Sequence, residues 1–315
     1  MPAHAIDVSH LVHRYGSRQA LVDLSLTIEP GEIFVFLGPN GGGKTTLFRL
    51  LSTLIPLQQG DVEILGYDLR LQAAAVRQRI GVVFQSPSLD KKLTVAENLR
   101  HQGHLYGLSG SLLAARQSEM LDRLGLAERA GERAEALSGG LRRRVELAKG
   151  MIHRPRLLLL DEPSTGLDPA ARSDLWSYLH QVRQQDGVTV VLTTHLLEEA
   201  ERADRIAILH EGQLVALGTP AALRRTVGGD SISIQSGDAP ALAEAISARF
   251  AVPAQVIGGS VRLEMPDGHQ WIARLVEAFP GRIEAVTLGK PTLEDVFIAR
   301  TGHRFWQAAE EAARG

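Results

Sequence analysis

One short stretch, residues 38–46, constrains this chain of 315 residues more than any other. It reads Gly-Pro-Asn-Gly-Gly-Gly-Lys-Thr-Thr and fits the pattern G-x-x-x-x-G-K-[ST] without a mismatch. The apolar run Ile33–Leu37 before it predicts a buried parallel strand, and leucines at helical spacing from Leu47 to Leu54 predict a helix after it. These flanks argue against a glycine-rich turn that matches the pattern by chance, and they favour a phosphate-binding loop.

Each residue type in this loop has a task in binding a nucleoside triphosphate. Glycines let backbone N–H groups approach phosphate oxygens without a Cβ in the way, and the following helix adds its positive dipole end. We expect Lys44 to reach the β- and γ-phosphates and the Thr45 hydroxyl to bind Mg²⁺. The predicted phosphate-binding residues are Gly38, Pro39, Asn40, Gly41, Gly42, Gly43, Lys44, Thr45 and Thr46.

The stretch 157–163, Leu-Leu-Leu-Leu-Asp-Glu-Pro, is the second strong signal. Its leucines predict a central strand, and two carboxylates follow at the end of that strand. Buried carboxylates need a reason, and a metal ion with its waters is one. We expect Asp161 to bind Mg²⁺ and Glu162 to polarise an attacking water. An acidic strand-to-loop junction without function is the alternative, and the phosphate loop argues against it.

Three further side chains have positions that suit a ligand site. Gln85 follows the buried run 80–84 and His195 follows the run 188–193, so both are expected at carboxyl ends of parallel strands, where α/β proteins bind ligands. Tyr15 precedes the phosphate loop, and its flat ring is suited to stacking on a nucleobase. Taken singly, each of these residues is more often structural.

A helical insert is predicted at about residues 94–150. It starts at the capping box Thr94–Glu97 and includes the sequence Leu-Ser-Gly-Gly at 137–140, which opens a helix carrying arginines at 142–144. An arginine triplet is usually a solvated face, whereas Ser-Gly-Gly at a helix N-terminus is also an anion site. Asp168-Pro169 predicts the start of another helix, with Asp168 as its N-cap.

Two domains are predicted, at residues 1–227 and 230–302, with a tail at 303–315. The second domain has the pattern βαββαβ, which is the ferredoxin-like arrangement, and it has no convergent catalytic set. Composition adds that Lys and Arg total 34 against 36 Asp and Glu, so we expect no nucleic-acid partner. Cysteine is absent, which leaves no disulfide or thiolate metal site.

The sequence indicates neither secretion nor insertion into a membrane. The first ten residues lack a secretory signal, and no apolar run approaches the roughly eighteen residues that span a bilayer. We therefore expect a soluble, cytosolic protein. If the protein acts at a membrane, another chain must span it.

The motifs follow one another in a set order that resembles a known family. The order is Tyr15, GPNGGGKTT (38–46), Gln85, LSGG (137–140), LLLLDEP (157–163), STGLD (164–168) and His195. This set resembles the ATP-binding subunit of an ABC transporter over about residues 6–225, and it is specific because other phosphate-loop proteins lack LSGG before the acidic strand. The resemblance implies an α/β phosphate-loop ABC ATPase domain, with a mixed-sheet core and a helical subdomain, followed by the smaller α+β domain.

The resemblance also implies a role for individual residues of this sequence. Tyr15 would stack on adenine, Gln85 would be the Q-loop contact, and His195 would be the switch histidine. The implied catalytic residues are Glu162, His195, Lys44 and Gln85. The implied ligands of Mg²⁺ are Thr45, Gln85 and Asp161.

A second copy of the chain is implied as a partner. Ser138, Gly139 and Gly140 would close on the γ-phosphate held by that copy, and Asp168 would cross the same interface. Because the chain has a single set of motifs, two copies would form a head-to-tail sandwich around ATP.

Longer stretches are similar to one branch of the family. LSGGLRRRVELAKGM (137–151), FQSPSLDKKLTVAENL (84–99) and KPTLEDVFIARTG (290–302) resemble the drug- and polysaccharide-exporting subunits similar to the daunorubicin-resistance ATPase. The expected function is ATP hydrolysis that powers export through separate membrane-spanning subunits, from the inner face of the membrane. Gly42 departs from the family pattern, since alanine is commoner there, and the tail extends past the shared motif.

Two alternatives remain from the sequence. A soluble ABC ATPase acting on nucleic acid or ribosomes usually has two nucleotide domains or a long coiled-coil insert, but only about fifty residues separate Gln85 from LSGG. A non-hydrolysing regulatory module is disfavoured because both Glu162 and His195 are present. The transported substrate would be selected by the membrane subunit, so this sequence does not identify it.

Overall fold

The structure, a computed structural model, describes residues 3–227, 229–265 and 267–305. The chain forms two compact units, of which the first ends at Leu214 and the second begins at Val215. The domain boundary predicted at residues 228–230 thus lies about one strand and one helix further along the chain than this division. The part of the predicted tail after Phe305 lies outside the described residues.

Up to residue 226, the described residues form ten strands and eight α-helices. The first ten strands are β1 (Ile6–Tyr15), β2 (Arg18–Ile28), β3 (Ile33–Leu37), β4 (Gln59–Ile64), β5 (Tyr67–Asp68), β6 (Ile80–Val83), β7 (Leu157–Asp161), β8 (Thr189–Thr194), β9 (Arg205–His210) and β10 (Gln213–Gly218). The first eight helices are α1 (Lys44–Leu51), α2 (Ala73–Arg77), α3 (Val95–Leu105), α4 (Gly110–Arg123), α5 (Gly139–Met151), α6 (Pro169–Asp186), α7 (Leu197–Ala200) and α8 (Pro220–Thr226).

A six-stranded sheet has the order β10-β9-β3-β8-β7-β6, and its strands from β9 to β6 are the framework of the first unit. Parallel pairing joins β3 to both β8 and β9, and it joins β7 to both β6 and β8. All five residues of β3 and all five of β7 are buried, which explains why their sequences are continuous apolar runs. The carboxyl ends of β3, β6, β7 and β8 consequently lie along one edge of this sheet.

A second sheet, in the order β2-β1-β4-β5, is built from antiparallel pairs. Its inward side chains, together with α1 and the six-stranded sheet, form one apolar core that includes Ile6, Leu26, Phe36 and Leu50. The leucine spacing predicted a helix as far as Leu54, and this prediction is wrong at its end. Helix α1 stops at Leu51, Thr53 has a φ of 62°, and Leu54 is 55% exposed.

Side-chain caps define the helix starts in and after the helical insert. The Thr94 hydroxyl accepts from the N–H of Glu97, and a Glu97 carboxylate oxygen accepts from the N–H of Thr94, so the predicted capping box is present. Asp168 caps α6 through its Oδ1, which accepts from the N–H of Ala171 at 2.8 Å. Pro169 occupies the first helical position, as predicted.

The second unit begins within β10 and contains α8 and the remaining elements. These remaining elements are β11 (Asp230–Gln235), α9 (Ala239–Phe250), β12 (Ala254–Ile257), β13 (Ser260–Met265), α10 (Gly268–Ala278), β14 (Ala285–Gly289) and α11 (Leu293–Thr301). The strand order β12-β13-β11-β14, with every pair antiparallel, is the ferredoxin-like arrangement that the βαββαβ pattern predicts. Its core lies between this sheet and helices α9 and α10.

Helix α11 is tied to this sheet by a buried ion pair. Thr292 and Asp295 form a capping box at the start of the helix. The same Asp295 carboxylate pairs with the Arg262 guanidinium of β13, which also donates to the Ser231 hydroxyl of β11 at 2.6 Å. The side chains of Arg262 and Asp295 are 15% and 6% exposed. This contact gives a structural reason for Thr292 and Asp295 in the stretch KPTLEDVFIARTG.

Replacing Asp295 by alanine is expected to destabilise the second unit by about 3–5 kcal/mol, because Arg262 would keep a buried charge with only the more distant Glu264 carboxylate, 3.9 Å away, beside it. Thr292→Ala is the matched control, since it removes the cap alone and is expected to cost about 1 kcal/mol. The measurement is the urea dependence of hydrogen–deuterium exchange in peptides from β13 and α11. Equal losses for the two variants would contradict the importance of the ion pair.

Candidate active site

The phosphate loop joins β3 to α1, and its glycines are required by its shape. Gly41 and Gly43 have φ values of 79° and 100°, which strain any residue with a Cβ. A Cβ on Gly43 would lie 2.8 Å from the carbonyl oxygen of Ala20, and one on Gly38 would lie 2.3 Å from that of Leu209. The loop therefore packs against its neighbours too closely for side chains at these positions.

Lys44 lies at the centre of the loop. Its Nζ donates to the carbonyl oxygens of Gly38 at 2.8 Å and Pro39 at 3.0 Å, and the residue is 4% exposed. Burial lowers the pKa of Lys44, while the nearby Glu162 and Asp161 carboxylates act in the opposite direction. The ammonium group is thus held inside the loop, where phosphate oxygens can replace the two carbonyl contacts.

A cavity opens over this loop, and Tyr15 lies at its wall. Tyr15 ends β1, is 45% exposed, and packs edge-on against the His13 ring with the centroids 4.8 Å apart. The full set of lining residues is Tyr15, Arg18, Ala20, Asn40, Gly41, Gly43, Lys44, Thr45, Thr46 and Glu162. An aromatic ring, two cations and the glutamate of β7's carboxyl end therefore face the same space.

One hydroxyl group fixes both the Asp161 carboxylate and the backbone of Glu162 at the end of β7. Thr193 Oγ1 of β8 donates to Asp161 Oδ1 at 2.6 Å and accepts from the N–H of Glu162 at 3.0 Å. Glu162 has a φ of 42°, a left-handed conformation that is costly for a residue with a side chain. Strained backbone of this kind is concentrated at functional sites, and here it turns the chain directly after the strand.

The Glu162 carboxylate has polar neighbours from three other segments. Gln85 Nε2 donates to Glu162 Oε2 at 3.2 Å, and His195 Nδ1 lies 3.2 Å from the same oxygen. Thr165 Oγ1 also donates to this oxygen at 3.2 Å, and Lys44 Nζ lies 3.9 Å from Oε1. The four residues predicted as catalytic, Glu162, His195, Lys44 and Gln85, are therefore brought together at the carboxyl edge of the sheet.

The environment shifts the pKa values of the adjacent carboxylates in opposite directions. Burial alone would raise the pKa of Glu162, but hydrogen bonding and charge from His195, followed by the charge of Lys44, hold it below its usual value. Burial raises the pKa of Asp161 and the Glu162 charge adds to this, against the hydrogen bond from Thr193. Glu162 is consequently ionised at neutral pH, as a residue that accepts a proton from water must be.

The residues present fit magnesium better than a metal held entirely by protein. Within the described ranges 3–227, 229–265 and 267–305, no group of three or more His, Asp or Glu residues can hold a metal ion. Magnesium usually keeps several waters and is bound by one or two carboxylates together with substrate phosphates. The buried carboxylate of Asp161 and the hydroxyl of Thr45 are ligands of the kind that this mode requires.

The sequence LSGG lies elsewhere on the first unit. Ser138 is the N-cap of α5, with its Oγ accepting from the N–H of Leu141 at 3.3 Å. A second cavity is lined by Ser138, Gly139, Gly140, Leu141, Arg144, Gly166, Leu167, Asp168, Ala170, Ala171 and Asp174. No residue among those that the structure describes lines both this cavity and the one over the phosphate loop. LSGG and Asp168 are thus brought together with each other and not with Lys44.

The arginine triplet differs from the solvated face that its charge suggests. Arg143 is 6% exposed, and Arg142 and Arg144 are half-buried. Helical periodicity carries the missed signal, because Arg143, Leu147 and Gly150 share one face of α5 and all three are buried. Thr193, Thr165 and Arg18 were also not predicted as site residues, since their contacts depend on strands and loops distant in sequence.

Comparison with known proteins identifies the family. Residues 21–165 match the family model described as ABC transporter. Daunorubicin resistance ATP-binding protein DrrA3 of Streptomyces coeruleorubidus is 38% identical over 307 residues, covering 95% of this chain and 96% of that protein. The chain belongs to the ATP-binding proteins of ABC transporters. The Nod factor export ATP-binding protein I of Burkholderia lata is 37% identical over 305 residues, covering 96% of this chain and 98% of that protein.

The fold of this ATP-binding protein also matches solved structures. An ATP-binding cassette solved as a dimer in a post-hydrolysis state, bound to ADP and Pi, superposes with a TM-score of 0.62 at 27% identity, over 68% of this chain and 98% of that one. The predicted family, its drug and polysaccharide exporter branch and its fold class are therefore confirmed. In the described part of the chain, no helix has the length and apolar character needed to cross a membrane.

Gly43→Ala is expected to lower the free energy of unfolding by about 2–4 kcal/mol, because the new methyl group meets backbone at a left-handed φ. Gly42→Ala is the matched control. Gly42 has no positive φ, and its Cβ would lie 3.1 Å from the carbonyl oxygens of Leu209 and Pro39, so we expect a loss below about 1 kcal/mol. Urea unfolding without nucleotide measures both, and similar losses would refute the assigned loop geometry.

Proposed function

We propose that this ATP-binding protein hydrolyses ATP at the carboxyl edge of its six-stranded sheet and so powers export through separate membrane-spanning subunits. The observation that carries hydrolysis is the convergence of Gln85, His195 and Lys44 on the Glu162 carboxylate beside the phosphate loop. Export is the activity named for the Nod factor relative, and drug resistance is named for the daunorubicin relative. Both are similar to this chain over almost its whole length.

Each residue has a specific part in this reaction. The phosphate loop and Lys44 would bind the β- and γ-phosphates, and Tyr15 would stack on the adenine. Glu162 would accept a hydrogen bond from the attacking water, and His195 would orient that water and the γ-phosphate. Thr45, Gln85 and Asp161 would hold Mg²⁺, which neutralises charge that develops on the phosphate oxygens. Positioning and charge are most of what such a site must supply.

The complete site requires a second copy of the chain. Ser138, Gly139, Gly140 and Asp168 line a cavity separate from the one over the phosphate loop, so we infer that they meet the γ-phosphate bound by the other copy. The result is a head-to-tail dimer with two ATP molecules at its interface. A solved ATP-binding cassette that is bound to ADP and Pi is a dimer, which supports this arrangement.

The location and the second domain follow from the same proposal. The chain would act in the cytoplasm, bound peripherally to the inner face of the membrane through its permease subunits. The near balance of 34 basic and 36 acidic residues supports a protein partner rather than nucleic acid. The accessory domain at 230–302 carries none of the proposed site residues, so we assign it a role in regulation or assembly.

Glu162→Gln is expected to separate ATP binding from ATP turnover. Glutamine has nearly the same shape but cannot take a proton from water, so turnover should fall by about two to four orders of magnitude. ATP should still bind, and loss of a negative charge beside the γ-phosphate should trap the closed dimer. Phosphate release measures turnover, and size-exclusion chromatography with ATP measures the dimer. Lys44→Ala is the control that should lose both binding and the dimer, whereas turnover at the parent rate in Glu162→Gln would exclude Glu162 as the catalytic residue.

Mixing two inactive variants tests the head-to-tail arrangement. Lys44→Ala disables the phosphate loop and Ser138→Arg disables the LSGG sequence (137–140), so neither variant alone can form an intact site. In the mixed head-to-tail dimer, the intact phosphate loop of one chain faces the intact LSGG sequence of the other. One of the two sites of this dimer is thereby restored. We expect ATPase activity to reappear on mixing, at about a quarter of the parent rate if the sites act independently. Absence of recovery, with mixed dimers shown to form, would contradict this arrangement.

A further inference from the structure

The loop that carries Gln85 is fastened to helix α5 at two places. At its start, the buried Arg143 guanidinium donates to the carbonyl oxygen of Phe84 at 2.8 Å and to that of Gln85 at 3.2 Å. These two carbonyl groups directly follow β6, where the sheet no longer supplies hydrogen-bond partners. Arg143 therefore takes the place of a neighbouring strand for the residue whose side chain reaches Glu162.

Three residues later, the same loop is held through Ser88. The Glu146 carboxylate accepts from the Ser88 N–H at 2.8 Å and from its hydroxyl at 2.9 Å, and Lys149 Nζ donates to the Ser88 carbonyl oxygen at 2.8 Å. Arg143, Glu146 and Lys149 are three residues apart in turn, so they lie along one side of α5. The side chains of Glu146 and Lys149 are 2% and 12% exposed, so this is an interior contact.

Burying the Arg143 guanidinium removes it from water, and the hydrogen bonds that its shape allows offset this desolvation. A guanidinium group is planar and carries five donors, so one side chain can serve two consecutive carbonyl groups at once. Burial lowers the pKa of Arg143, and the charges of the Glu146 and Asp161 carboxylates act in the opposite direction. The two carbonyl oxygens accept its hydrogen bonds. A lysine has one compact ammonium group on a flexible stem and cannot hold both carbonyl groups in the same way.

We propose that Arg143 is a positioning residue for hydrolysis. It fixes the backbone of the loop that carries Gln85, so that the Gln85 amide meets the Glu162 carboxylate. The route consists of three contacts, from Arg143 to the Gln85 carbonyl group, along Gln85 to its Nε2, and from there to Glu162 Oε2. This inference rests on the proposed function, because it assigns Arg143 to the turnover step of that site. Arg143 touches neither the phosphate loop nor Glu162 directly in the described contacts.

The test uses the full chain and measures kcat and KM for ATP separately. Arg143→Met fills a similar volume but donates to neither carbonyl group, so kcat should fall about tenfold or more while KM changes less than about threefold. Arg143→Lys keeps the charge and one donor position, and it should recover part of kcat. Arg129→Gln is the matched control, since it removes an exposed arginine whose ion pair among the described residues is with Glu132, and it should keep the parent kcat.

A double-mutant cycle shows whether Arg143 acts through Gln85. In a Gln85→Ala background the amide is already missing, so adding Arg143→Met should lower kcat by less than about twofold further. A purely structural role would instead give the full loss in both backgrounds. If Arg143→Met does not fold, as judged by its unfolding temperature, the same cycle with Arg143→Lys replaces it.

The outcomes separate this inference from the proposed function. An active parent whose kcat is unchanged in Arg143→Met, or whose two losses are additive in the cycle, overturns the role of Arg143 and leaves the proposed function standing. A rise in KM with unchanged kcat also overturns it. A folded parent that does not hydrolyse ATP overturns the proposed function and this inference together.

Discussion

The hydroxyl of Thr193 is the contact on which the candidate active site depends most. It bonds to both residues of the Asp161–Glu162 pair, and the parallel register places Asp161 directly opposite Thr193. A shift of that register by one residue would turn these side chains to the other face of the sheet. The positions of the Asp161 carboxylate and of the Glu162 backbone are thus decided by strand pairing in the buried core. The strained φ of Glu162 is held by hydrogen bonds on each side of it, since its N–H donates to Thr193 Oγ1 and its carbonyl oxygen accepts from the N–H of Thr165.

From this contact outward, the site is an assembly of strand ends. Lys44 follows β3, Gln85 follows β6, Glu162 follows β7 and His195 follows β8. These residues are far apart in the sequence. They meet because parallel strands place their carboxyl ends along one edge of the sheet. The Lys44 ammonium group compensates the charge of the Glu162 carboxylate there, and the His195 ring lies against the other oxygen of that carboxylate. Such compensation lets ionisable groups remain buried in a core that is otherwise apolar.

Much of this could be predicted from sequence because the governing rules are local. The run Ile33–Leu37, the capping box at Thr94 and the proline after Asp168 each depend on a few neighbouring residues, and the elements are present as predicted. The contacts of Glu162 could be anticipated only in outline, because they need the strand order. Arg143 was misjudged for a physical reason. Charge in a triplet favours a solvated face, but the free carbonyl groups after β6 provide partners that the sequence of α5 does not reveal.

Strand β3 lies in the middle of its sheet, but both of its neighbouring strands are synthesised long after it. Residue Phe34 pairs with Val191 and with Arg205, so its strand has no partner until more than half of the chain has been synthesised. At about 5–20 residues per second, that wait is on the order of ten seconds, and an unpaired apolar strand is prone to aggregate meanwhile. The strands β1, β2 and β4 pair with one another much earlier, and Phe34 and Phe36 belong to the same core as Ile6 and Ile64. The early antiparallel sheet can therefore cover the apolar side chains of the nascent β3 until β8 and β9 have been synthesised.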